Sequence, residues 1–213
     1  MVRILAAAFL LCLSCAAWAG AKPSDEVKPI PAAEAERRSA ETADFLLDLL
    51  ALSIDTHWHA GEWEDCVRLC RQSVEVDPHF VQGYTDGAWV LANLNRDGEA
   101  IAFYQQGIEA NPDQSEIYQQ FGLFYHRRHR YSEAVEQFRR AVDHNAPRAW
   151  QHMYPSALEL AGRKQEALDE WRALLRRFPG DDVAKMRIER LQKELTGEGH
   201  PTARAFPPGR APA

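Results

Sequence analysis

One spacing constrains this chain more than any other. Cys66, Ala100 and Ala134 stand 34 residues apart, and Cys70, Tyr104 and Phe138 keep the same step. Three segments align around them: AGEWEDCVRLCRQSVEVDPH, NRDGEAIAFYQQGIEANPDQ and HRYSEAVEQFRRAVDHNAPR. Asp77-Pro78 and Asn111-Pro112 close the first two units, and Asn145-Ala146-Pro147 closes the third with one extra residue. A fourth, GRKQEALDEWRALLRRFPGD, has Ala167, Trp171 and Pro179 in the matching places. A self-similar period between about 20 and 50 residues marks units that bury an apolar face only by stacking. Within each unit the small and aromatic residues lie four apart, on one face of a helix. A second amphipathic helix precedes each, most clearly Tyr84-x-x-Gly87-Ala88-x-x-Leu91 and Tyr118-x-x-Phe121-Gly122-x-x-Tyr125. Ala88 or Gly122 is expected to admit the following helix at close range, with Ala100 or Ala134 opposite. The Pro behind each unit then ends that helix, because it cannot continue the hydrogen-bond ladder.

This pattern resembles the tetratricopeptide repeat (TPR), whose signature is W-x2-L-G-x2-Y, then A-x3-F, then P. The resemblance implies an all-α, right-handed α-solenoid of antiparallel helix pairs. It places repeats at about 47–80, 81–114, 115–147 and 148–179, closed by a capping helix at 181–195, within a domain spanning 34–195. Two departures stand out. Ile54 occupies a place where the family has a small residue, and Pro155 falls inside the leading helix of the fourth repeat, which it should kink or split at about Tyr154.

The ends are of another kind. Arg3, the apolar run Ile4–Leu13 and Ala17-Trp18-Ala19 have the order of a secretory signal peptide, with cleavage expected after Ala19. The run is shorter than the about 20 residues of a membrane span. A lipoprotein reading through Cys15 ranks second, since Cys12 stands where a lipobox normally has Leu. The sequence therefore points to an exported protein, periplasmic or extracellular, with no stable membrane span after cleavage. Residues 20–33 read as a flexible leader, and the Pro- and Gly-rich stretch 196–213 as a disordered tail. The formal charge is −6, and cleavage removes a further positive charge with Arg3. That acidity argues against a nucleic-acid partner.

Cleavage also leaves only Cys66 and Cys70, too few for a disulfide framework. They fall in the stretch DTHWHAGEWEDCVRLC, which on first inspection has the composition of a metal site. The repeat register instead puts both cysteines in the core as small hydrophobes. An i,i+4 disulfide is disfavoured, because helical Cβ atoms at that spacing lie about 6 Å apart, not near 3.8 Å. His57 and His59, two apart on a helix, point to different faces. The alternative functional reading is thus a metal- or thiol-handling protein using His57, Cys66 and Cys70. Beyond the leader the chain has no G-x-S-x-G, H-E-x-x-H, G-x-x-x-x-G-K-[ST], G-x-G-x-x-G or C-x-x-C. No catalysis and no cofactor are expected. The basic run His126–Arg130 reads as a wetted turn or, less favoured, as a rim for an acidic partner, and Trp63 and Tyr131 read as packing. His144, near the end of a helix, suits the negative pole of the helix dipole.

What the resemblance implies about function is protein–protein interaction: a peptide or helix of a partner bound on the concave face lined by the first helix of each pair. Carried over by helical position, that face consists of Asp55, Trp58 and His59 in the first repeat and Gln82, Thr85, Trp89 and Asn93 in the second. Gln119, Leu123, His126 and Arg127 follow in the third, with His152 and Ser156 as candidates in the fourth. Trp89 serves equally well as groove or as inter-repeat packing, and Trp58 leans towards packing. The carboxylate clamp of chaperone-binding TPR domains needs Asn where this chain has Asp55, Trp89 and Leu123, so it is not expected here.

Overall fold

A computed structural model describes residues 30–197. The expected cleavage site, residues 20–29 of the leader and residues 198–213 of the tail lie outside the described residues. The elements are α1 (Ala32–Ala60), α2 (Trp63–Val76), α3 (Val81–Asn93), α4 (Asp97–Ala110), α5 (Ser115–Arg127), α6 (Tyr131–Asp143), α7 (Arg148–Gln151), α8 (Met153–Leu160), α9 (Lys164–Arg177) and α10 (Asp182–Thr196). No strand occurs among the described residues, and no helix among them is long and apolar enough to cross a membrane.

Two compact units divide the chain, one ending at Thr42 and the other beginning at Ala43. The described part of the first is helical from Ala32, two residues before the domain boundary read from the sequence, and carries the i,i+4 ion pairs Arg38–Glu34 and Arg37–Glu41. The second unit is the helical stack. In it α3 packs on α4, α5 on α6 and α9 on α10, while α2 packs on α3 and α6 on α8.

The 34-residue step is a burial pattern. Cys66, Ala100, Ala134 and Ala167 are all completely buried, and Cys70, Tyr104, Phe138 and Trp171 fill the place one turn further on. Burying such side chains contributes about 25 cal/mol per Å² of apolar surface removed from water, which is why the period reappears in three dimensions. Close approach has a single-atom criterion at Gly122. A Cβ built there would stand 2.6 and 2.7 Å from the ring of Phe138. The residue that Gly122 admits is thus the aromatic of the following helix rather than Ala134.

A second periodicity sits in the turns. Gly61, Asn95, His129 and Gly162 have φ of 74°, 59°, 56° and 77°, a left-handed residue between the two helices of every pair. Glycine adopts this conformation at no steric cost, and Asn and His are tolerated there. Just behind it Arg96, Arg130 and Arg163 occupy the N-cap positions of α4, α6 and α9, and each pairs with the Glu three residues on. Those carboxylates, Glu99, Glu133 and Glu166, also lie at the positive pole of the helix dipole.

Pro155 does split its helix, but at His152 rather than at Tyr154: α7 ends at Gln151 and α8 begins at Met153. The ring of a proline clashes with the carbonyl four residues earlier, here that of Gln151, so the break falls upstream of the proline itself. Pro155 then occupies the first turn of α8, where a missing N–H costs least.

Candidate functional site

Side chains of α1 and α3, with the turn that leads into α3, enclose a groove of about 320 Å³. Ala51, Ile54 and Trp58 form its α1 wall, Phe80 and Gly83 the opposite wall, and Cys70 contributes to its floor. Asp55, His59, Gln82 and Asp86 are its polar lining. The chain reaches this arrangement through helical spacing: Ile54, Asp55, Trp58 and His59 share a face of α1, and Gln82 and Asp86 stand one turn apart on α3. His59 lies 3.4 Å from the Asp55 carboxylate. Gln82 Nε2 donates to Asp86 Oδ2 at 3.1 Å. Burial pushes the Asp86 carboxyl above its usual range, against the lowering effect of Gln82.

Three tryptophans join the groove to the next repeat. Trp58 stacks on Trp89 with ring centroids 4.9 Å apart, and meets Trp63 edge-on at 5.2 Å. Trp58 and Trp89 therefore serve as inter-repeat packing and as lining at the same time. Trp89, Asn93, Leu123 and Arg127 surround a much smaller pocket between α3 and α5. Both cavities lie along the face carried by the first helices of successive pairs.

Five of the predicted residues stand elsewhere. Thr85 and Gln119 are only 5 % and 4 % exposed, so they do not present their side chains to a partner. Each satisfies its polar group locally, Thr85 by donating to the Gln82 carbonyl and Gln119 to Ser115 Oγ. His152 Nε2–H donates to Asp181 at 2.7 Å, and Ser156 lines a separate cleft with Glu159 and Arg190 of α8 and α10. His126 rests edge-on against Tyr131. The basic run is largely consumed by the fold. Arg128 pairs with Asp97 at 2.7 Å and donates to the Ala92 carbonyl of the preceding repeat, while Arg130 lies over the Tyr125 ring. His144 stacks on Tyr118 at 5.2 Å.

The proposed ligand trio is not brought together. His57 Nδ1–H donates to Glu62 at 2.5 Å, and the ligand-type atoms near it belong to Glu62 and Asp65. Asp65 is in turn paired with Arg68. Cys66 and Cys70 are both free thiols in the core, and the Cys66 S–H donates to the Ile54 carbonyl at 3.7 Å. Burial raises the pKa of both, that of Cys70 to about 12. Since the thiolate is the nucleophile and metal ligand, burial disfavours the reactive form of both.

Ala51, Ile54, Cys70, Phe80, Gly83 and Asp86 line the groove without having been among the residues predicted for that face. For Asp86 a signal existed, its place one turn after Gln82 and three residues before Trp89. Phe80 sits in the turn ahead of α3, where no helical periodicity applies.

The fold and the groove together define the class, a helical-repeat solenoid whose first helices line one face. The tetratricopeptide repeat family matches residues 82–114 and 103–136, and the chain is a TPR protein. Solved structures of similar fold include PilF of Pseudomonas aeruginosa, 14 % identical, with 73 % of this chain and 72 % of that one aligned at a TM-score of 0.56. The protein MamA is 16 % identical over 74 % of this chain and 84 % of its own, at 0.55. YrrB, described as a TPR protein with an unusual peptide-binding site, is 16 % identical over 68 % and 76 %, at 0.51. At these identities the likeness is one of fold. Curated protein sequences offer no match to the chain.

Proposed function

We propose that this TPR protein is a non-catalytic docking module that holds a peptide or helix of a protein partner along the face lined by α1, α3 and α5. The observation that carries the reading is the continuous lining on that face. The α1–α3 groove, the Trp58–Trp89 stack and the pocket around Asn93 and Arg127 follow one another from repeat to repeat. Aromatic anchors supply area at low entropic cost, and amides such as Gln82 and Asn93 suit backbone groups of an extended segment. A rigid solenoid presents such a face preformed, so most of the ordering cost falls on the partner. The peptide-binding site of YrrB is consistent with such a use of the fold.

The test compares the wild type with Gln82→Arg/Asn93→Arg, both exposed positions on this face, and with Gln106→Arg on α4 as control. Each is immobilised, checked by circular dichroism, and exposed to an extract of cells that produce the protein. Partners lost from the double variant and kept by the control support the reading. Equal recovery by all three contradicts it.

The sequence order at residues 1–19 supports a second element of the proposal, that the protein works outside the cytoplasm. Mass analysis of the protein from its native host tests this directly. A mature chain beginning at Gly20 supports export, and a chain that retains residues 1–19 refutes it.

A further inference from the structure

The α1–α3 groove holds an electrostatic imbalance. Asp86 is half-buried, and among the described residues no Arg, Lys or His side chain lies within ion-pair distance of it. Its one side-chain partner is the neutral amide of Gln82. Other carboxylates withdrawn from water are treated differently. Asp181 has His152 and Arg148, and Glu159 has Arg187 and Arg190. A desolvated carboxylate without a cation is costly, and a protein ordinarily relieves that cost with a paired charge. Around Asp86 the titratable groups are Asp55 and His59 from α1, Cys70 from α2 and Tyr104 from α4. Two carboxylates line the groove against one imidazole, so its acidic groups outnumber its basic ones. Its walls are apolar and aromatic, and its volume falls at the lower end of the roughly 300–1,000 Å³ typical of ligand sites.

An apolar slot with a tryptophan wall and two carboxylates is complementary to a long alkyl stem that ends in a cation. We propose that the groove receives one arginine or lysine side chain of the docked partner segment, its stem along Ile54 and Phe80 and its charge between Asp55 and Asp86. This rests on the proposed docking along the first-helix face and adds what that face selects. Arginine suits it better than lysine, because a planar guanidinium can serve a carboxylate and an aromatic ring together.

The experiment selects short random displayed peptides on the full-length protein and on Asp86→Asn. An arginine peptide recovered by the wild type is then resynthesised with citrulline, its neutral isostere, and both forms are titrated by fluorescence anisotropy. The inference expects one basic position to dominate the wild-type selection. Citrulline should weaken binding about tenfold or more in the wild type and less than about twofold in Asp86→Asn, a coupling typical of a direct charge contact. Equal weakening in both proteins overturns the inference. So does enrichment of peptides without a basic position, and in that case docking still stands if Gln82→Arg/Asn93→Arg abolishes their binding. If no peptide is enriched, the docking reading falls with the inference.

Discussion

The two edges of the stack handle carboxylates in opposite ways. At the C-terminal edge Asp181 is 2 % exposed, yet it caps α10 by accepting the Ala184 N–H and draws His152 and Arg148 onto its other oxygen. Glu159 beside it takes Trp171 Nε1–H, Arg187 and Arg190. These acids close the fold. At the N-terminal edge Asp86 has only an amide, the groove next to it is open, and no residue of α1 is fully buried, with Phe45 and Leu52 61 % and 65 % exposed. The same residue type is structural where the chain supplies the cation and is left without an internal counter-charge where it does not.

The sharpest way to break this comparison is Asp181→Ala, which removes a helix cap and leaves His152 and Arg148 without their partner. Loss of a cap costs about 1 kcal/mol, and loss of the pair about 1–3 kcal/mol because Arg148 and His152 keep part of their contact with water, so the expected destabilisation is about 2–4 kcal/mol by chemical denaturation. The pH dependence follows. Burial alone would raise the Asp181 carboxyl, but the Ala184 N–H, His152 and Arg148 together hold it down from 3.8 to about 2. A depressed carboxyl stabilises fully above its unfolded pKa, so this contribution is present above about pH 4 and is lost towards pH 2. Asp181→Asn should show a flatter stability profile across that window.

Gly122→Ala comes next. Its new methyl would overlap the Phe138 ring, and overpacking of this kind costs about 1–3 kcal/mol, read as a fall in denaturation midpoint at unchanged m. Asp86→Asn should act with the opposite sign from the Asp181 variants. It removes an uncompensated charge, so Tm should rise at pH 7, with the gain shrinking as pH falls and the wild-type carboxyl protonates. A fall in Tm at pH 7 would show that Asp86 is structurally paired after all. The smallest effect is expected at His129→Gly, where relief of a left-handed residue is partly offset by chain entropy and by loss of the His129–Tyr131 hydrogen bond. Stability should change upward by no more than about 1 kcal/mol.

The fold was legible because its determinant, burial at a step of 33 or 34 residues, is written in residue size. Cys66, Ala100, Ala134 and Ala167 had to be small, and they are buried without remainder. The candidate groove was legible only by helical face. Asp55, Trp58, His59 and Gln82 meet around one groove because each sits on the expected stripe. Thr85 and Gln119 failed because they sit at the edge of that stripe, where neighbouring helices close over them and local acceptors satisfy them. The reach of Arg128 to Asp97 and of Arg96 to Glu64 joins turns 31 and 32 residues apart. A turn read alone cannot show such a staple, so HRRHR looked like a wetted run. His57 likewise turned to Glu62 and not to the cysteines, since the Glu62 carboxylate is within reach of its ring N–H while both thiols are buried in the core.

The central claim is that partners dock along the face of the first helices, starting at the α1–α3 groove. The most direct measurement is the amide and indole NMR footprint of a selected peptide on the full-length protein. Docking there predicts shifts concentrated at Trp58, Gln82, Asp86 and Trp89, fading towards Asp181. A footprint centred on α4 and α6, or on the cleft around Glu159, would contradict it.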